Sequence, residues 1–410
     1  MLARLKPSAQ NASFNIRVAR LSTGERYPLV VDSHGLPVPL ANQWMLFIRR
    51  PMVQANSLIE EGRTVAHVCD WAMRRNIPLE ERLTSGNGLT PSELQSLYQN
   101  LRYGRAYGRI TAAKGLADVN NMKVVSAKVH GARVGIAREF LIWGMETALY
   151  RLNVADPRVP EIRERCERIR RQAIEFQRKA SNSRAKRVGL DSQQRARLLE
   201  IINPEYAGNP FSRNVKFRNW VLILLLLTFG FRRGESLKLL VGDVNVKGRK
   251  PSLTVVRRPG DLADHRGVEP AVKTLGRMIY LSPDMAALLD VFIQHHRPQF
   301  PDADLSPFLF FSQRGKPLSL RSVNAILEQI VNCYPELQGF LTPHVLRYTY
   351  NDMLVESARE SGLSGESLKA AQNYLNGWSL TSEQGSLYSR RAIEDQAREI
   401  SIAHQRSLFR

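Results

Sequence analysis

The sequence predicts a mainly α protein: an N-terminal helical bundle, then a mixed α/β domain that is mostly helical with one small antiparallel sheet. Three observations predict it. Apolar residues recur at helical spacing through most of the 410 residues. Only two segments in the middle of the chain, 253–256 and 277–281, read as a strand pair. The longest apolar run, Trp220 to Phe231, marks a helix buried on all sides. At roughly 150 residues per domain, the length predicts two or three domains.

Taken in order, residues 1–50 form an N-terminal extension of mixed character. Ser13 to Val18 alternates weakly, Tyr27 to Val31 is strand-like and Ser33-His34-Gly35 is a turn signal. Residues 51–155 form the helical domain. Leu58, Ile59, Val65, Val68, Trp71 and Ala72 make one stripe, and Pro78 closes it. Thr90-Pro91-Ser92-Glu93 reads as a helix start, with Thr at the cap, Pro in the first turn and Glu three residues on. Leu94, Leu97, Tyr98 and Leu101 continue it, and a long helix follows over about Val124–Tyr150. Residues 156–187 read as a basic linker helix. Arg163, Arg165, Arg168, Arg170, Arg171, Arg178, Lys179, Arg184, Lys186 and Arg187 crowd this segment against Glu161, Glu164, Glu167 and Glu175, and the second half is poorer in acids. A solvated helix with internal ion pairs fits that composition too. Residues 188–410 form the larger domain, with helices near 191–202, 217–229, 283–296, 319–333, 344–357, 365–375 and 391–405.

Charge and cysteine content narrow the function. Lys and Arg number 59 against 38 Asp and Glu, a formal net charge of +21. That excess disfavours most small-metabolite enzymes and points to a polyanion, because each cation set against a phosphate releases counterions. Cys69, Cys166 and Cys333 are scattered and form no CxxC pair, which speaks against a zinc finger or a disulfide framework. The first residues lack the apolar core of a signal peptide, and no run approaches the roughly 20 apolar residues of a membrane span. A cytoplasmic, nucleoid-associated location is the expectation, with no membrane partner.

The larger domain carries the chemistry-bearing residues. Gly230-Phe231-Arg232-Arg233-Gly234-Glu235 follows the apolar helix directly, with Leu239 and Asp243 beyond. Alone, Arg232 and Glu235 could be a bridge holding a helix junction. Pro343-His344-Val345-Leu346-Arg347 places His344 and Arg347 on one helix face. Lys273-Thr274 turns into the strand at Arg277, and Gly377-Trp378 precedes Tyr388 by ten residues. No phosphate-binding glycine loop or metal-spaced cluster is present, and His295-His296 reads as surface.

In this order the pieces resemble the tyrosine recombinase (phage integrase) family over about residues 188–392. Arg232 and Glu235 match the first box, Lys273 the β-hairpin lysine, and His344 and Arg347 the His-x-x-Arg box. Trp378 matches the His-or-Trp position and Tyr388 the nucleophile. Phe231 and Arg233 replace small aliphatics, Tyr348 stands where His is frequent, and the Trp378–Tyr388 gap is one residue longer than usual. Tyr374 and Tyr350 are therefore competing nucleophiles. More weakly, the bundle resembles the family's SAM-like core-binding domain.

The resemblance implies a site-specific recombinase or integrase that cuts and rejoins DNA through a 3′-phosphotyrosine. Arg232 and Arg347 would fork onto the non-bridging oxygens, a geometry Lys cannot supply. Tyr388 would attack with His344 as base, Lys273 would protonate the departing 5′ oxygen, Trp378 would donate its indole N–H, and Glu235 would orient its neighbours. No cofactor or metal is needed, because the covalent link conserves the ester energy. Double-stranded DNA is the implied partner, gripped by a homo-tetramer on paired sites, with accessory proteins possible. Lys123, Lys128, Arg133 and Arg138 on one helix, and Arg178, Lys179, Arg184, Lys186 and Arg187 in the linker, are the candidate DNA contacts. Rival readings are a type IB topoisomerase or hairpin resolvase, and a silent DNA-binding accessory protein. The apolar stripe Ile393, Ala397 and Ile400 predicts a tail helix that folds onto its own domain or onto a neighbouring subunit.

Overall fold

The computed structural model describes residues 13–104, 124–177, 189–339, 341–362, 365–379 and 386–409, with 359, 365 and 386–396 described by backbone alone. These residues fall into two units that divide between 183 and 184.

The first unit opens with an antiparallel hairpin, β1 (Asn15–Arg20) and β2 (Arg26–Val31), in register from Asn15↔Val31 to Arg20↔Arg26. Helix α1 (Pro39–Gln43) follows. Residues 13–50 are not an appendage. Tyr27, Val30, Leu40, Ala41, Trp44 and Met45 are buried in the same core as the bundle, and the Trp44 ring meets Phe140 edge-on at 5.6 Å. Helix α2 (Ala55–Arg74) buries the stripe read from the sequence. A short helix, α3 (Leu79–Thr84), was not expected; it inserts Leu79 and Leu83. Helix α4 (Pro91–Asn100) starts as its cap predicts, with Thr90 Oγ1 accepting the Glu93 N–H and Glu93 accepting the Thr90 N–H at 2.7 Å. Helix α5 (Ala127–Leu149) spans the unit.

Helix α6 (Arg158–Gln177) corrects the expected linker. Val159, Ile162, Cys166, Ile169 and Ala173, spaced by alternating threes and fours, are buried, and the helix packs along α5 within the first unit. Net charge hid this stripe, because a single apolar face needs only one residue in three or four. The outer face carries internal ion pairs, Arg165–Glu161 at 3.4 Å and Arg168–Glu164 at 3.1 Å.

The second unit begins with α7 (Ser192–Ile202) and α8 (Arg213–Thr228), the latter buried from Val221 to Thr228. Helix α9 (Arg233–Lys238) leads into a sheet ordered β3 (Val244–Asn245), β4 (Ser252–Val255), β5 (Arg277–Tyr280), all antiparallel, with Val255 opposite Arg277. Then come α10 (Pro283–Val291), α11 (Leu320–Cys333), α12 (Pro343–Glu360), α13 (Gly365–Asn376) and α14 (Ser386–Ser407). The tail helix α14 returns to its own domain: Ala397 and Ile400 pack with Tyr350, Leu354, Ala358, Ala371 and Leu375. Gln405 fastens it, accepting the Ser282 N–H at 2.6 Å and donating to the Tyr280 carbonyl at 2.9 Å. No described helix is long and apolar enough to cross a membrane.

Candidate active site

Gly230 ends the apolar helix with φ +58°, a left-handed conformation that glycine adopts without strain. The turn delivers Arg232 to the start of α9. Glu235 reaches back and accepts the Arg232 N–H at 3.2 Å, and its carboxylate lies 3.4 Å from the Arg232 guanidinium.

Glu235 is buried, and everything near it donates. Its Oε1 accepts the Thr274 hydroxyl at 2.7 Å and its Oε2 accepts Arg277 Nη2 at 3.0 Å. Burial acts to raise its pKa, but the Arg277 charge, the Thr274 hydroxyl and Arg347 outweigh it and hold the carboxyl below its ordinary range. It is an anion at neutral pH. Arg277 in turn donates from Nε to the Leu375 carbonyl at 2.6 Å, and its guanidinium lies over the Phe231 ring. Phe231, the departure from the family's small residue, thus floors this cation.

Arg347, one turn into α12, is buried. Its Nη1 donates to the Gly230 carbonyl and its Nη2 to the Asn376 carbonyl at 3.1 Å. Its guanidinium lies 5.6 Å from the Trp378 ring centre. Burial first, and the like charge of Arg232 second, bring its pKa down to about 10, so it remains cationic at neutral pH. Asn351 Nδ2 donates to the Arg347 carbonyl at 2.8 Å, and Asn351 Oδ1 accepts from Asn376 at 2.9 Å and from Gln372 at 3.0 Å. This amide network ties α12 to α13. Helix α13 closes on left-handed Gly377, whose N–H donates to Tyr374 while the Trp378 N–H donates to Asn373, both at 2.9 Å.

The structure thus brings Arg232, Glu235, Arg347 and Trp378 together, with Arg277 and Thr274 joining them. Lys273 is exposed and precedes buried Thr274 directly. His344 is exposed in the first turn of α12, three residues before Arg347. Tyr388 belongs to the first turn of α14; its side chain lies outside the described residues. The competing tyrosines differ. Tyr350 is buried against His404, with ring centres 5.4 Å apart, and burial pushes its phenol up. Tyr374 donates its hydroxyl to the Met278 carbonyl at 3.1 Å.

Of the expected DNA contacts, Lys128 is exposed on α5. Arg133 instead turns inward and donates to the carbonyls of Leu101 and Tyr103, satisfying the end of α4, and Arg138 pairs with Glu139. Lys123, Arg178, Lys179, Arg184, Lys186 and Arg187 lie outside the described residues. Sequence reasoning missed Thr274, Asn351 and Asn376 as parts of the site. It also missed buried Lys238, whose ammonium meets Asp261 at 3.4 Å, Asp264 at 3.1 Å and Glu269. Its one signal was a lysine two residues past Ser236 on an otherwise inward-facing helix. Among the described residues no cluster of three or more His, Cys, Asp or Glu could hold a metal ion.

Residues 189–376 match the phage integrase family. No curated protein matches the chain significantly. Among solved structures, the Tn1549 transposon integrase in complex with circular intermediate DNA is 16% identical, covering 87% of this chain and 98% of that one with a TM-score of 0.47. The XerH site-specific recombinase bound to its difH substrate is 13% identical, with 87% and 90% covered and a TM-score of 0.39. The integrase of mycobacterium phage Brujita is 13% identical, with 91% and 93% covered and a TM-score of 0.34. At these identities and scores the assignment stands on the sequence match. Both arginine-bearing boxes fall inside the matched segment, so residues 189–376 are the part of the chain that is similar to the phage integrase family.

Proposed function

We propose that this recombinase cuts and rejoins double-stranded DNA at specific sites through a 3′-phosphotyrosine on Tyr388. In-line attack builds charge on the non-bridging oxygens of a pentavalent phosphorus, and Arg232 and Arg347 supply the donors for it. His344 takes the phenolic proton, Lys273 gives a proton to the departing 5′ oxygen, and Trp378 covers the phosphate with its indole N–H. Glu235 orients the arginines and transfers no proton. One observation carries the reading: Arg232 and Arg347, far apart in the chain, share one electrostatic neighbourhood around a buried anion. Such a site is organised for an oxyanion before any ligand arrives. The basic excess fits duplex binding, and we extend the reading to a tetramer on paired sites with Lys128 among its phosphate contacts.

The test uses a library of DNA duplexes with a randomised centre, incubated with the full chain and selected for detergent-resistant protein adducts. The wild type is expected to enrich a defined sequence and to be trapped on its 3′ phosphate. Arg347→Ala should slow adduct formation on the order of 10²–10³-fold. An adduct that persists in Tyr388→Phe rejects the assignment.

A further inference from the structure

We infer that Thr274 is the positioning residue for Lys273: its buried hydroxyl, bonded to Glu235 and Arg277, sets the turn from which the lysine reaches the leaving oxygen. This rests on the function proposed above and adds a residue to it. A lysine ammonium rides on a flexible four-carbon stem, so its reach is decided by where its backbone is held. Around Lys273 the backbone is held tightly. Thr274 Oγ1 donates to Glu235 Oε1 at 2.7 Å and accepts from Arg277 Nη1 at 3.3 Å. The next residue, Leu275, donates its N–H to the Gly377 carbonyl at 3.0 Å. A Cβ on Gly377 would lie 2.8 Å from Thr274 Cβ and 2.9 Å from the Leu275 carbonyl oxygen, so the turn presses on the end of α13.

Upstream, the loop is anchored as well. A Cβ on Gly234 would lie 2.2 Å from the Ala271 carbonyl oxygen, and Lys238 holds Asp261, Asp264 and Glu269. Of these anchors only Thr274 joins the lysine's own peptide bond to the carboxylate that also pairs with Arg232. Its hydroxyl therefore indexes the proton donor against the phosphate-binding arginine. A valine fills the same space and leaves Glu235 paired with Arg277, but it cannot donate.

In the step concerned, the Tyr388 oxygen forms a bond to phosphorus, the bond from phosphorus to the 5′ oxygen breaks, and the Lys273 ammonium gives that oxygen its proton. With sulfur as the 5′ bridging atom, the bond to phosphorus breaks to release a thiolate that needs no proton. The experiment compares the two leaving groups on the duplex enriched by the adduct selection. Thr274→Val is expected to slow cleavage of the ordinary ester about 10²-fold, the scale of a misplaced catalytic group. It should cleave the 5′-bridging phosphorothiolate near the wild-type rate, and Thr274→Ser should restore the ordinary ester. Equal slowing on both substrates, or no rescue by serine, overturns the inference. Lys273→Ala must show the same selective rescue; if it does not, the proton donor is another group and the inference falls with it. A wild type that forms no adduct overturns the functional reading instead. In the free protein, the Leu275 amide should exchange faster in Thr274→Val than in Thr274→Ser, and equal exchange also counts against the role.

Discussion

Gly230 shows how little room the site leaves. A Cβ placed there would lie 2.1 Å from Cδ1 of Tyr350, which is itself buried, and the backbone is left-handed. Gly230→Ala therefore combines a conformational penalty of about 1 kcal/mol with overpacking of about 1–3 kcal/mol. The expected loss is roughly 2–4 kcal/mol in urea unfolding of the second unit, and a loss under about 1 kcal/mol contradicts the packing described. Arg232, Glu235, Arg347 and Trp378, which folding brings together, stood out in the sequence because charged and aromatic residues at fixed spacing beside an apolar helix are conspicuous along the chain. Thr274, Asn351 and Asn376 did not, because a threonine or an asparagine acquires meaning only from the partner that folding brings to it. The partners of Arg133 were hidden for the same reason, since nothing local says that two carbonyls wait for it.

Among the elements, the tail helix makes the clearest prediction. His404 on α14 is enclosed, with its ring against Tyr350, and the charge of Arg195 acts on it from α7. Burial pushes its imidazole down to about 4, the backbone of Leu227 and Thr228 pulling weakly the other way. The folded pKa is below the unfolded value of about 6.5, so the unfolded chain binds the extra proton between the two. Stability from this group is complete above about pH 6.5 and is lost as the pH falls toward 4, by about 3 kcal/mol. His404→Leu should flatten that part of the stability curve relative to the wild type, and parallel curves would show that the ring titrates normally. The sequence placed this helix only from 391 and left its docking open. Gln405 and Ser401 look like solvent-facing residues until strand β5 supplies a carbonyl for the first. The basic helix 158–177 misled in the opposite direction, its charges masking five buried side chains.

At the scale of the whole chain, the two described units each close on a core of their own. Truncating a core residue in one should leave the other standing. Leu97, fully buried in the first unit, is the test site. Leu97→Ala should cost about 2–5 kcal/mol and lower one of two calorimetric transitions while the second holds its temperature. A single transition that shifts as a whole would refute independent cores. Length had already indicated more than one domain, but the expected boundaries fragmented the first unit, because the hairpin and α6 join its core only through distant contacts. Independence of this kind has a consequence for synthesis. At 5–20 residues per second, the ribosome needs roughly 10–40 s to translate residues 189–410. The first unit can be finished throughout that interval, so an emerging chain presents a completed N-terminal half before Tyr388 has been translated.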